Sequence, residues 1–298
     1  MDTRIALACA LMLCAGASHA NEQWRTAHLR NACDVVLAEV RAAAAAGDAE
    51  AQLQMSDWHF FGTCLPKDDE SSAHWALRAA ESGLPRAQVV AGQVSASGLG
   101  VPKNDAEARR WYTLAADAGD PEAMLLLARH IEAESGNPLA ADLSLAWANR
   151  AADAGYAPAY VHLASLYSGG GAQTDYAKSA QWLTRAIDAG YRENAVWVAY
   201  SWACLNLGRY DEVLDAADKV PRDAPEFKAA QINHAHALLL NGQLGNAREL
   251  YAANMALRGD DEFRRVLRDD FAELRRSGLG HPGMTRIERL FGIDTVAP

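Results

Sequence analysis

No segment of this 298-residue chain reads as a transmembrane span. Its most apolar run, residues 5–17, is too short to cross a bilayer, and no later stretch replaces it. Catalytic signatures are missing as well: there is no Gly-x-Ser-x-Gly, no His-Glu-x-x-His and no Walker loop. Gly169-Gly170-Gly171 has the glycine density of a phosphate loop, but no Lys-Ser or Lys-Thr pair follows it, so it reads as a helix reversal. Basic residues are the minority, 28 against 38 acidic. The resulting net charge of −10 leaves no basic stripe to neutralise a phosphate backbone, and nucleic acid is not an expected partner. The charged run 264–276 mixes both signs and reads as a solvated helix face. Cysteine is scarce, with five residues in all. His234 and His236 are two apart and point to different faces of a helix, so they do not form a ligand pair; no metal and no cofactor is expected.

What is present begins with a leader. One basic residue, Arg4, precedes the apolar run, and Ser18-His19-Ala20 places small residues where a signal peptidase would cut after Ala20. Residues 1–20 are therefore expected to be a cleaved signal peptide, with the periplasm as the destination. Leu13 before Cys14 argues against a lipid anchor. Cleavage leaves Cys33, Cys64 and Cys204, and export permits a disulfide. Cys204 lies in an apolar helical stretch and is expected to be a buried, inert thiol.

The dominant signal is a period. Trp75, Trp111, Trp147 and Trp182 each stand eight residues before a glycine, Gly83, Gly119, Gly155 and Gly190, and the tryptophan spacings are 36, 36 and 35. A fixed period of this size means stacked repeats. The stretch around Trp111 reads as a helix with Ala108, Trp111, Ala115 and Ala118 on one face, ended by Gly119 in the left-handed conformation. Each unit is expected to be a helix, a turn and a second helix. Alanines let helix axes approach closely, and the indole fills the wedge between neighbouring units. Residues 21–46 read as a capping helix with Cys33, Val36, Leu37 and Val40 as its apolar stripe. Residues 47–190 hold the four repeats, and Asn104 or Asp105 is placed to cap the second helix of repeat two.

These residues carry a resemblance. Ala87-Gln88, Gly92, Gly98-Leu99-Gly100-Val101-Pro102, Asp105, Ala108, Trp111, Ala115-Ala116 and Gly119 resemble the Sel1-like repeat, a branch of the tetratricopeptide superfamily. Ser56 and Ala128 stand where that family prefers glycine, and repeat three has Gly136-Asn137-Pro138 in place of a Gly-x-Gly loop. After Gly190 the period changes: Gly208 and Gly242 are 34 apart, and Leu207-Gly208-Arg209-Tyr210-Asp211-Glu212 resembles the mid-repeat turn of an ordinary tetratricopeptide unit. Residues 191–258 are expected to form two such units. Residues 259–298 are expected to be a helical cap, with Phe263, Val266, Leu267, Phe271 and Leu274 as one stripe, then Met284, Ile287, Leu290 and Phe291 in a short last helix. The fold expected is all-α: a right-handed α-solenoid of helix-turn-helix repeats.

The resemblance implies a non-enzymatic scaffold that binds a protein or peptide in the concave groove lined by the first helix of each repeat. Asp57, Arg129, His130 and His162 are the candidate groove residues. Cys33, near the start of one helix, and Cys64, just past the end of its antiparallel neighbour, are expected to be bonded; a zinc site from Cys33, Cys64, His59 and His74 has no closely spaced ligand pair behind it. Two other functions remain open. One is a periplasmic immunity protein that neutralises a toxic hydrolase. The other is a hydrolase of cell-wall or β-lactam compounds, as implied by cysteine-rich secreted Sel1-like proteins, which carry a cysteine pair in nearly every repeat where this chain has at most one.

Overall fold

The computed structural model describes residues 33–34, 36–133, 140–169 and 174–293. The leader, residues 21–32 of the capping helix, the loop at 136–138, Gly170-Gly171 and residues 294–298 lie outside them. All regular structure among the described residues is helical, and the helices pair into the repeats of an all-α solenoid. The chain divides into two compact units, residues 1–147 and 148–298. Unit 1 holds α1 (36–45), α2 (Ala49–Phe61), α3 (Asp69–Glu81), α4 (Pro85–Ser97), α5 (Asp105–Asp117) and α6 (Pro121–Ala133). Helix α7 (Ala140–Asp153) contains the boundary. Unit 2 holds α8 (Ala157–Ser168), α9 (Tyr176–Asp188), α10 (Asn194–Asn206), α11 (Tyr210–Ala217), α12 (Phe227–Leu240), α13 (Leu244–Arg258), α14 (Asp260–Arg276) and α15 (Pro282–Leu290).

The repeat ends follow from glycine chemistry. Gly119 takes φ 95°, a left-handed conformation that costs other residues strain. Its N–H bonds the Ala116 carbonyl at 3.0 Å, and the Asp120 N–H bonds the Ala115 carbonyl at 3.0 Å, closing the helix end. The same pair of bonds recurs at Gly47, Gly155, Gly190, Gly208 and Gly242. Helix starts are set by side-chain oxygens that accept otherwise unpaired N–H groups: Asp48 from Ala51, Asp68 from Glu70 and Ser71, Asn104 from Glu107, Asp120 from Ala123 and Asp175 from Lys178. Of the two cap candidates in repeat two, Asn104 is the cap and Asp105 opens the helix.

Packing in unit 1 uses small residues at helix crossings. Leu53, Ala79, Ala80, Ala87, Ala91 and Trp111 form one buried cluster. A Cβ added at Gly92 would lie 2.4 Å from the Tyr112 ring, so glycine is there to admit the tyrosine. One period earlier the corresponding residues are Ser56 and Ala76, and the smaller Ala76 accompanies the larger Ser56. Ser56 is buried with its Oγ 3.2 Å from that of Ser72.

The structure corrects four sequence expectations. First, the indole fills the wedge completely only at Trp111, which is 5% exposed. Trp75, Trp147 and Trp182 are half-buried; the guanidinium of Arg78 lies 5.3 Å from the Trp75 ring, and that of Arg185 lies 4.5 Å from the Trp182 ring. An indole is too large to vanish at a crossing of alanines, so an Arg one turn on covers its open face. Second, Val36 is exposed while Leu37 and Val40 pack on Ala44, Met55, Trp58 and Leu65. Third, Leu290 is exposed at the end of α15. Fourth, Arg275 is not merely solvated: its Nη2 meets the buried Glu288 carboxylate at 2.8 Å and ties α14 to α15.

Unit 2 has a continuous core of its own. Phe263, Leu267, Phe271 and Leu274 of α14 are all fully buried, together with Leu205, Val213, Leu239, Ala247, Tyr251, Met284 and Ile287. Val266 packs at its edge. Cys204 is fully buried, and burial pushes its thiol up to about 12, which leaves it protonated at neutral pH.

Candidate functional site

The first helices of repeats one to three, α2, α4 and α6, present one face to solvent in the same register. Counting from each helix start, the second residues are Glu50, Arg86 and Glu122; the sixth are Gln54, Val90 and Leu126; the ninth are Asp57, Gln93 and Arg129; and the last are Phe61, Ser97 and Ala133. All twelve are exposed or half-buried, while Leu53, Ala87, Val89, Ala91, Leu125 and Leu127 between them are in the core. Successive turns of a helix stack residues i, i+4 and i+7 on one stripe, so a 36-residue repeat of 13-residue helices lays the stripes of neighbouring units side by side. The Arg86 Nη2 reaches the Asp57 carboxylate at 3.9 Å, linking α4 to α2 across this face. Partial desolvation raises the Asp57 carboxyl above its ordinary value, and Arg86 opposes that shift.

Of the groove residues expected from the sequence, Asp57 and Arg129 share this face at equivalent positions. Asp57 is brought to Arg86. His130 is the next residue along the helix and is half-buried, its ring centroid 6.0 Å from that of Tyr112. Burial, assisted by Glu122, pushes the Tyr112 hydroxyl up to about 12. His162, at the sixth position of α8, is only 7% exposed, so it does not offer an open surface. The expectation failed there because a register position fixes the direction of a side chain and not what covers it. Arg86, Val90, Gln93 and Leu126 were not singled out from the sequence, although stepping 36 residues from Asp57 leads to Gln93 and then to Arg129.

Cys33 and Cys64 form a disulfide, with Cα atoms 5.3 Å apart. It anchors the start of the capping helix to the loop after α2, and it removes both thiolates from the zinc alternative. His59 instead lies with Nδ1 3.3 Å from the Pro66 carbonyl.

In unit 2 a polar cluster is enclosed between helices. Trp202 is the ninth residue of α10, and a step of 34, the Gly208–Gly242 spacing, leads to His236, the tenth residue of α12. His236 is fully buried, its ring 6.4 Å from that of Trp202. Its Nε2–H donates to the Asp270 carboxylate on α14 at 3.1 Å, and its Nδ1 accepts from the buried Tyr251 hydroxyl at 2.7 Å. A carboxylate only accepts and a phenol can donate, so the partners select that tautomer. One turn further along α14, Glu273 accepts from the Tyr176 hydroxyl on α9 at 2.8 Å. Helix α14 thus spans from α12 to α9 across the end of α10. Neither His236 nor Tyr251 reaches solvent, so this triad of polar groups is a clamp between helices. Nothing in the sequence links His236 to Asp270, which lie 34 residues apart on different helices.

Four consecutive matches to the Sel1 repeat cover residues 49–84, 85–120, 121–156 and 157–191. The chain is similar in fold to a Sel1 repeat protein from Oxalobacter formigenes, with 23% identity, a TM-score of 0.54, and coverage of 69% of this chain and 84% of that one. It is also similar in fold to a protective antigen present in uropathogenic Escherichia coli strains that displays an SLR fold, with 16% identity and a TM-score of 0.51. That likeness covers 85% of this chain but only 62% of the antigen. No curated protein matches the chain.

Proposed function

From the premise that this chain is a Sel1-like repeat protein, we propose that it is a non-enzymatic scaffold of the periplasm that holds a protein partner on the first-helix face of unit 1. Sel1 repeats generally mediate protein–protein interaction, and stacked repeats create extended surfaces for that purpose. The observation that carries the reading is the registered solvent face of α2, α4 and α6, in which Asp57, Gln93 and Arg129 occupy one row and Val90 and Leu126 line the row beside it. A partner would bury the half-exposed apolar row and meet charges of both signs. The predicted leader supports the location.

The test is capture from a periplasmic extract with the tagged chain and with an Arg86→Glu/Arg129→Glu variant. Both arginines are solvent-facing, so the variant keeps its fold. A stoichiometric partner retained by the parent chain and lost from the variant is the expected result. The same proteins on both, or none on either, overturns the proposal.

A further inference from the structure

Helix α1 is held to repeat one by a covalent bond more than by packing. Of its residues 36–45 only Ala44 is buried. Leu37 and Val40 are half-buried against Met55, Trp58 and Leu65, and Val36 is 44% exposed. Across to α2, the Gln52 side chain donates to the Ala44 carbonyl at 3.0 Å. A helix this short has little stability of its own in water, so its persistence depends on what fixes it to a neighbour. Cys33 and its bond stand at one end of α1. The other end turns into α2 at Gly47, which has φ 97° and nothing within 4 Å of an added Cβ, so the backbone there is free to swing. The other side of the bond is fixed. In the loop that carries Cys64, the Gly62 N–H donates to the Trp58 carbonyl and the Asp68 N–H to the His59 carbonyl, both at 2.9 Å, and the His59 Nδ1 lies 3.3 Å from the Pro66 carbonyl. Cutting the disulfide leaves that loop in place and releases α1. Both cysteines are only half-buried, so a small thiol reaches the bond.

We infer that the Cys33–Cys64 bond is a redox-sensitive lock on the capping helix. A dithiol reductant supplies two electrons and two protons. Its thiolate attacks one sulfur of the pair, the Cys33–Cys64 bond breaks, and a mixed disulfide forms. The second thiol of the reductant then displaces the cysteine and closes the reductant's own disulfide, which leaves Cys33 and Cys64 as two thiols. Released, α1 swings about Gly47 and uncovers the side of Met55, Trp58 and Leu65 on which Leu37 and Val40 rest. Those three are 3%, 9% and 8% exposed while α1 is docked. A terminal repeat without its cap presents an apolar end, so the state of the bond decides whether that end is covered. Reoxidation by a disulfide such as oxidised glutathione runs the same exchange backwards and restores the cap. This lock goes beyond the partner-binding reading and stands without it.

The test treats the native chain with dithiothreitol in the absence of denaturant, then alkylates a sample and analyses its peptides by mass. Cys33 and Cys64 are expected to be alkylated, while the buried Cys204 is not. Trypsin then reads α1 in the remainder, desalted without oxygen. Arg41 is exposed but helical, and cleavage after it requires the helix to open locally. Reduction is expected to speed that cut roughly tenfold or more, while cleavage after Arg110, exposed on α5, keeps its rate. Oxidised glutathione should restore the slow cut, and a Cys33→Ser/Cys64→Ser chain should show the fast one without any reductant. A bond that resists dithiothreitol in the native chain overturns the inference. So does an Arg41 rate unchanged by reduction, because packing alone then holds α1. Equal acceleration at Arg41 and Arg110 also overturns it, since unit 1 would then be unfolding as a whole.

Discussion

At the residue scale, the glycines separate into two kinds. Gly83 has φ 86° with nothing within 4 Å of an added Cβ, so Gly83→Ala meets only left-handed strain, about 1 kcal/mol. Gly100 has φ 72°, and a Cβ there would stand 1.9 Å from the Asp69 carbonyl oxygen, a backbone atom that cannot swing aside. Gly100→Ala is expected to destabilise the chain clearly more than Gly83→Ala, as read from urea unfolding midpoints; equal effects would show that α3 and the repeat-two loop are not packed as described. The tryptophans divide similarly. Trp111→Ala removes a side chain only 5% exposed and is expected to cost about 3–5 kcal/mol. Trp75→Ala, at a half-buried ring open to Arg78, should lower the melting temperature noticeably less.

At the scale of the element, helices in a repeat are short and depend on their ends. Asp68 and Asp175 cap α3 and α9, and bonds to the Ser71 side chain and backbone, and to the Lys178 N–H, hold their carboxyls below the ordinary value of 3.8. A carboxylate with a depressed folded-state value stabilises above its unfolded value and loses that contribution as the pH falls through the folded one. Acid should therefore weaken these two caps from about pH 4 downward. A double Asp68→Asn/Asp175→Asn variant keeps an accepting oxygen at both positions but no longer titrates. Its melting temperature is expected to fall less steeply than that of the parent chain as the pH is lowered; parallel curves would mean that the caps do not titrate with folding. Helix α14 has the opposite design: its N-cap Gly259 offers no side-chain oxygen, and its stability comes from a buried stripe and the His236–Asp270 clamp.

For the molecule as a whole, two units share one chain, and the Cys33–Cys64 disulfide belongs to unit 1. Closing a 31-residue separation stabilises by about 3 kcal/mol, and in a repeat array such a gain stays with its neighbours instead of spreading evenly. Reduction is expected to speed amide hydrogen exchange in α1 and α2 while leaving α12 to α14 unchanged. Uniform acceleration along the chain would indicate one cooperative block. The binding surface proposed here lies in the unit that carries the staple, so reduction should also weaken partner capture more than it lowers the stability of unit 2.

Much of this protein was legible in its sequence because repeats encode themselves locally. The 36-residue spacing of tryptophan and glycine named the helix pairs, and the glycine ends, the Asn104 cap, the buried Cys204 and the Cys33–Cys64 bridge all follow from neighbours in sequence or from antiparallel ends. The row containing Asp57 and Arg129 could be read the same way, by stepping one period at a time. Coverage of a face could not. Whether a position is open, as at Arg129, or buried, as at His162 and His236, depends on which distant helix arrives there. The turn at Gly259, with φ 85° and ψ 157°, aims α14 so that Glu273 meets Tyr176, 97 residues earlier in the chain. A period carries no information about such a meeting, because the contact is made once and repeats nowhere, and tertiary packing alone decides which face is filled and which is left open.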